Sequence, residues 1–116
     1  GGYKVNGIPE LFVTNTLTGA ILLALSIPLV KNAVKMNYIY GIRIEKALES
    51  EENWYKINNF AGKRLIFWSI ILVCVGIFNY FINIDKNPVL FNIFALAPGI
   101  IIIPWIIEIH VFAKKL

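Results

Sequence analysis

Three long apolar runs, at 11–30, 65–84 and 89–112, limit the possible folds of this sequence more than any other feature. About 20 helical residues cross a hydrocarbon layer of about 30 Å, and each run is long enough to do so. None of the runs alternates in polarity as a membrane β-strand does, so helices are the remaining way to bond the backbone in lipid. The sequence therefore predicts an all-α integral membrane protein, a three-helix bundle in which residues 1–116 form one domain.

The composition also separates this chain from soluble domains. Hydrophobic residues make up 58% of the 116 residues and charged residues 16%, which is outside the usual range for a soluble chain. In a soluble protein, a net charge of +4 would suggest nucleic acid as a partner. Here the cations flank the apolar runs, where anionic lipid headgroups account for them. We expect the lipid bilayer as a partner and no nucleic acid.

The distribution of Lys and Arg predicts the orientation of the chain. The loop 31–64 holds seven of the eleven cations and the tail holds Lys114 and Lys115, whereas the other side has Lys4 and Lys86. Short cytoplasmic loops retain such residues, so we expect the loop and the C-terminus in the cytoplasm and the N-terminus outside. The first run should be a retained span, because a signal peptide carries its cations before the apolar region.

Residues from Ser50 onward are typical of a helix start. The Ser50 hydroxyl can cap free N–H groups, and Glu51 and Glu52 follow at the positive end of the helix. Apolar residues then recur at helical spacing, at Trp54, Ile57 and Ala61. This pattern predicts a cytoplasmic amphipathic interfacial helix that continues toward the second run.

The third run contains two prolines and a pair of small residues. Pro98 and Pro104 each remove a backbone hydrogen bond, which predicts a kinked or locally unwound helix. Ala95 and Gly99 are four residues apart, a spacing that permits close approach to another helix.

Residues 37–62, NYIYGIRIEKALESEENWYKINNFAG, resemble the loop motif of the SdpI family of bacterial membrane proteins. The motif has a Tyr-Gly-x-Arg turn, a Leu, a Ser with acidic residues, and then Trp, Asn and Gly. Its matches here are Tyr40, Gly41, Arg43, Leu48, Ser50, Glu51, Trp54, Asn58 and Gly62. Ile44 and Glu45 replace the usual Thr-Pro after the Arg. The resemblance is good over 11–84 and general in the third run.

The resemblance implies an immunity protein of the bacterial cytoplasmic membrane, which protects its producer against a secreted antimicrobial toxin. It also implies a signalling role at the cytoplasmic face, so the expected partners are a peptide or protein toxin and a cytoplasmic regulator. Two other classes fit the residues: a small transporter or channel, and a structural subunit of a larger membrane complex. Because three helices enclose little volume, conduction would require a homo-oligomer.

The loop motif has a structural and a functional interpretation. Gly41 would supply a tight turn, Arg43 would extend to the headgroups and Trp54 would anchor the loop, and this interpretation is favoured. In the functional interpretation the same residues form a cytoplasmic surface that binds a partner or lipid headgroups. The candidate partner-binding residues are Tyr40, Gly41, Arg43, Trp54, Asn58 and Gly62.

Glu108 and His110 are the only ionisable residues within an apolar run, and such residues are functional candidates because charge is costly in lipid. Glu108 lies roughly 6 Å from the inner end of its helix, within reach of Arg43, Lys63 or Arg64. A structural ion pair is therefore expected. The two residues lie about 200° apart on a helix, so they do not share a face for a metal or a proton relay.

Four amides are expected in the outer half of the bilayer, at Asn15, Asn79, Asn83 and Asn92. Amides avoid lipid, so they should converge inside the bundle together with Thr14 and Thr18. Hydrogen bonds between helices and a polar pocket open to the outside are equally compatible with this cluster.

Catalytic motifs are absent from the sequence. It has no glycine-rich phosphate loop and no GxSxG nucleophile motif. The HExxH and CxxC motifs are also absent. His110 and Cys74, the one His and the one Cys, lie in separate runs. We therefore expect no enzymatic activity, no metal and no cofactor.

Overall fold

A computed structural model describes residues 4–5, 7–82, 84 and 86–116. The helices are α1 (Glu10–Val30), α2 (Glu45–Leu48), α3 (Glu51–Phe81), α4 (Pro88–Ala95) and α5 (Ala97–Ala113). Two short strands, β1 (Lys4–Val5) and β2 (Ile8–Pro9), pair antiparallel before α1. The prediction of a mainly helical chain is thus confirmed, but it omitted this strand pair. Gly7, with φ of 79°, allows the reversal between the strands.

Two helices are long and apolar enough to cross a membrane, α1 with 21 residues and α3 with 31 residues. Helices α4 and α5 together form a third candidate span, which is bent by 44° at Leu96. Pro98 accounts for the bend, since it has no N–H to donate to the carbonyl of Phe94. The predicted break in the third run is confirmed, and Pro104 lies inside α5 without ending it.

Small residues bring α1 and α3 close together. Gly62, Ser69 and Gly76 recur every seven residues along α3, and Gly19 and Ser26 have the same spacing on α1. A Cβ atom on Gly76 would lie 2.5 Å from the backbone nitrogen of Thr16, and one on Gly62 would lie 3.0 Å from the carbonyl oxygen of Ser26. At Gly62 and Gly76 there is therefore room for the hydrogen atom of glycine but not for a side chain. A repeat of seven residues keeps the small residues on one face of each helix.

The predicted close approach at Ala95 and Gly99 is wrong. Both residues are exposed, and a Cβ atom on Gly99 would meet no atom within 4 Å. The α4–α5 pair packs on α3 through Ala97 and Ile101, which form one buried cluster with Leu72. Gly99 lies two residues from each of them, on the opposite side of the helix.

Helix α3 begins where the sequence predicted. The Ser50 hydroxyl accepts a hydrogen bond of 3.0 Å from the backbone N–H of Asn53. At about 1.5 Å per residue α3 is roughly 46 Å long, which exceeds a hydrocarbon layer of about 30 Å. Residues 51–64 form the first turns of α3, so the predicted helix continues into the second span and is not a separate element.

The loop residues pack at the end of the bundle where α1 ends and α3 begins. Ala47 of α2 belongs to one buried cluster with residues of α3 and α5, namely Trp54, Ile57, Ala61, Ile109 and Ala113. The C-terminal end of α5 therefore lies beside the start of α3 and the loop. Val34, Ile42 and Ile44 of the loop also pack against this cluster.

Candidate functional site

The chain leaves α1 through a defined helix end. Asn32 adopts a left-handed φ of 55°, and the N–H of Ala33 donates to the carbonyl of Pro28 at 3.0 Å. This is the pattern of a Schellman cap, in which a residue with positive φ reverses the chain. The side chain of Asn59 on α3 donates to the carbonyl of Val30 at 2.7 Å. The first turn of the loop is thus held to both long helices.

A second turn is formed around Asn37. The Oδ1 atom of Asn37 accepts hydrogen bonds from the N–H groups of Ile39 and Tyr40, at 2.8 and 2.7 Å. Its Nδ2 group donates to the carbonyl of Tyr40 at 2.9 Å. This turn places Tyr38 and Ile39 at a protruding tip, where they are 89% and 95% exposed.

Gly41, Trp54 and Asn58 bind the loop to α3. Gly41 has φ of 115°, and a Cβ atom there would lie 2.8 Å from the ring of Trp54. Trp54 is fully buried, and its indole N–H donates to the carbonyl of Val34 at 2.8 Å. Asn58 accepts from the N–H of Ile42 at 2.6 Å and donates to the carbonyl of Ile42 at 3.3 Å. Asn58 thereby satisfies both backbone groups of a half-buried loop residue.

Tyr40 and Gly62 bring the loop and α3 against α1. The Tyr40 hydroxyl donates to the carbonyl of Leu25, and burial raises the pKa of Tyr40. Gly62 lies where α3 passes Leu29 and Val30, with no space for a side chain. Five of the six candidate motif residues therefore have a structural role in fixing the loop.

Arg43 is the exception among the motif residues. Its side chain is exposed, and its guanidinium group lies 5.3 Å from the centre of the Tyr38 ring. Within the described ranges no carboxylate forms an ion pair with Arg43. The residue borders a pocket of about 320 Å³ that is also lined by Met36, Asn37, Tyr38 and Leu48. The fixed loop thus presents one unpaired cation in a mainly apolar recess.

Glu108 forms the expected ion pair, with Arg64. The Nη2 and Nε atoms of Arg64 both lie 2.8 Å from one carboxylate oxygen, and the indole N–H of Trp68 donates to the other at 2.6 Å. Arg64 and Trp68 are four residues apart and share a face of α3. Sequence reasoning missed Trp68, although its spacing from Arg64 is visible in the sequence. His110 is exposed, and its Nδ1 atom lies 2.9 Å from the carbonyl of Ile106, away from the pair.

Two of the outer amides meet between the helices. The Nδ2 group of Asn15 donates to Oδ1 of Asn79 at 2.9 Å, and also to the carbonyl of Phe94 at 3.0 Å. Phe94 is the residue whose carbonyl Pro98 cannot bond. Asn15 and Asn79 are 0% and 2% exposed, so this link between α1, α3 and α4 is closed to the surroundings.

The other residues of the expected amide cluster do not join this link. Asn92 is exposed, which contradicts its predicted convergence. It precedes Phe94 by two residues and therefore points to the other side of α4. Thr18 is half-buried and Thr14 is exposed, with its hydroxyl 3.4 Å from the carbonyl of Leu11. Asn83 lies outside the described residues.

The long apolar helices and the loop fixed to them define a small integral membrane protein. A model of the SdpI/YfhL protein family matches residues 33–108, which is more than half of the chain. This protein therefore belongs to the SdpI/YfhL family. The match begins at residue 33, later than the expected start at residue 11, and it extends through most of α5, where a general resemblance was expected. No curated protein and no solved structure matches the chain.

Proposed function

We propose that this protein is a membrane immunity protein, which protects the bacterium that produces it against a secreted antimicrobial toxin. Membership of the SdpI/YfhL family fits a membrane immunity-type protein in general. The observation that carries the proposal is the matched region itself, which includes residues 33–64 of the loop and, among them, Arg43. The proposed partner is a peptide or protein toxin that arrives from outside.

The proposed topology has three spans in the bacterial cytoplasmic membrane, with the bent α4–α5 pair as the third. It is supported by the buried cluster that Ala113 shares with Ala47 and Trp54, because this cluster brings the end of α5 to the side on which the loop lies. The cations of 31–64, together with Lys114 and Lys115, favour the cytoplasm for that side. The N-terminus would then lie outside.

The proposal is tested by killing of a sensitive strain. The strain expresses the parent protein, Arg43→Ala or Lys56→Ala, and is exposed to culture supernatant of the bacterium that encodes this chain. Lys56 is a matched control, because it is also a loop-side cation but is paired with Glu52 at 2.7 Å. We expect protection by the parent and by Lys56→Ala, and loss of protection with Arg43→Ala.

Membrane insertion of each variant is verified by fractionation. Sensitivity of cells that carry correctly inserted parent protein would contradict the immunity function. Protection by Arg43→Ala equal to that of the parent would retain immunity and show that the exposed cation is not needed for it.

A further inference from the structure

We propose that the recess around Arg43 binds the headgroup of an anionic phospholipid in the leaflet next to the loop. The recess consists of Met36, Asn37, Tyr38, Arg43 and Leu48. Three features of the described residues support this assignment: the depth at which the loop is held, the exposed side chains at its tip, and the charge of the recess. The proposal does not depend on the immunity function.

The loop is held alongside the end of α1 and does not extend away from the bundle. The Tyr40 hydroxyl reaches the carbonyl of Leu25, five residues before the last residue of α1. Five helical residues correspond to about 7.5 Å. The last turn of α1 is apolar up to Val30 and Lys31 follows it, so the end of α1 marks the boundary between acyl chains and headgroups. A loop held alongside this end lies at that boundary. Arg43, three residues after Tyr40, is then placed next to lipid phosphates.

The tip of the loop suits contact with lipid. Tyr38 and Ile39 are 89% and 95% exposed, although an Asn37-based turn holds their backbone in place. Met36 and Leu48, which line the recess, are each 39% exposed. Aromatic and aliphatic side chains of this kind settle at the boundary between headgroups and acyl chains. Met36, Tyr38 and Leu48 therefore give the recess a largely apolar lining.

The charge of the recess selects an anion. Arg43 is its one ionisable cation, and no carboxylate lines it. The amide of Asn37 is committed to the turn. A guanidinium group binds phosphate through two parallel hydrogen bonds, and the Tyr38 ring beside it keeps the guanidinium in place.

A larger groove between α2 and α5 provides a contrast. It has a volume of about 520 Å³ and is lined by both signs of charge, with Glu45 and Glu49 beside Lys46 and Lys114. Lys46 is also paired with Glu49 at 3.4 Å. Carboxylates in that groove would repel an anionic headgroup, so the Arg43 recess is the better site for one.

The experiment measures lipid binding to the purified full chain in neutral detergent by native mass spectrometry. Phosphatidylglycerol and phosphatidylcholine are added at equal concentrations to the parent protein, Arg43→Ala, Arg43→Lys and Lys56→Ala. We expect the parent and Lys56→Ala to retain phosphatidylglycerol in preference to phosphatidylcholine. Arg43→Ala should weaken phosphatidylglycerol binding by about fivefold or more, which is the contribution of one cation near an anionic surface. Arg43→Lys should lose less, because it keeps the charge without the planar fork.

Circular dichroism of each variant verifies that the helices are retained. Equal retention of the two lipids by the parent would overturn the proposal, as would unchanged phosphatidylglycerol binding by a folded Arg43→Ala. If Arg43→Ala fails to fold, the test rests on Arg43→Lys. Phosphatidylglycerol binding by Arg43→Lys equal to that of the parent would then contradict bidentate recognition of the headgroup by Arg43. Displacement of the lipid by inorganic phosphate would show that the recess takes free anions and would also contradict a lipid site. No toxin enters this assay, so its failure is separate from failure of the immunity function.

Discussion

The two faces of α3 hold their neighbours in different ways. Toward α1 the face carries Gly62, Ser69 and Gly76, and the backbones of the two helices come into contact. Toward the third span the contacts are hydrogen bonds and ring stacking that involve large side chains. Arg64 and Trp68 bond Glu108, the indole N–H of Trp105 donates to the backbone carbonyl of Ala61, and Phe60 stacks on Phe112.

The difference between the faces follows from the solvent. Lipid is as apolar as the helix surfaces, so burial of apolar area does not drive the helices together. Close packing and polar bonds are the remaining forces. Helix α3 relies mainly on close packing toward α1 and mainly on bonds between side chains toward the third span. The α1 face tolerates no added atom, whereas long side chains on the third-span face can adjust. Substitutions on the two faces should therefore differ in effect.

The largest effect is expected on the α1 face, from Gly76→Val. The Cβ atom alone would lie 2.5 Å from the backbone nitrogen of Thr16, so the helices must separate. We expect the free energy of unfolding to fall by about 3 kcal/mol, at the upper end of overpacking costs. The measurement is unfolding in mixed detergent micelles, followed by circular dichroism. Gly99→Val is the matched control and should have little effect, because nothing lies near that position. Equal effects at Gly76 and Gly99 would contradict the close contact.

An intermediate effect is expected on the third-span face, from the ion pair of Arg64 and Glu108. Hydrogen bonds between charged groups contribute about 1.5–3 kcal/mol when buried. Both side chains are about one-third exposed, 34% and 29%, so we expect a coupling energy of about 1 kcal/mol. A double-mutant cycle with Arg64→Gln and Glu108→Gln measures it. The exposed pair of Lys56 and Glu52, of similar length, should give a smaller coupling. A coupling for Arg64 and Glu108 no larger than that control would show that the half-buried pair adds nothing to this face.

The smallest effect is expected at Asn15, which bonds to both α3 and the third span. Asn15→Val removes the hydrogen bonds to Asn79 and to the Phe94 carbonyl. Polar contacts between membrane helices contribute about 0.6 kcal/mol each on average, so we expect a loss of about 1 kcal/mol or less. Asn92→Val, at an exposed amide, should not destabilise the protein. Destabilisation at Asn92 in the same unfolding assay would contradict its placement outside the bundle.

Much of this architecture was predictable, because hydropathy and capping act locally. The apolar runs marked the long helices, Ser50 marked the start of α3, and Pro98 marked the bend near Leu96. The prediction that Glu108 pairs with a nearby cation was also confirmed. For the amides, position along the chain indicated how far each lies along its helix, but not which side of the helix it is on. Asn15 and Asn79 therefore bond to each other, whereas Asn92 is exposed.

The sequence by itself determined that this chain is a helical membrane protein with a family motif in the loop between its first two long helices. Hydrophobicity, proline chemistry and helix capping depend on residues close together along the chain, so the sequence alone predicts their effects. Only the tertiary structure decided that Asn58 bonds Ile42 and that Gly41 and Gly62 make room for Trp54 and α1. It also decided that Arg43 has no carboxylate partner among the described residues. Those facts depend on which faces meet across the bundle, and packing between distant segments sets them.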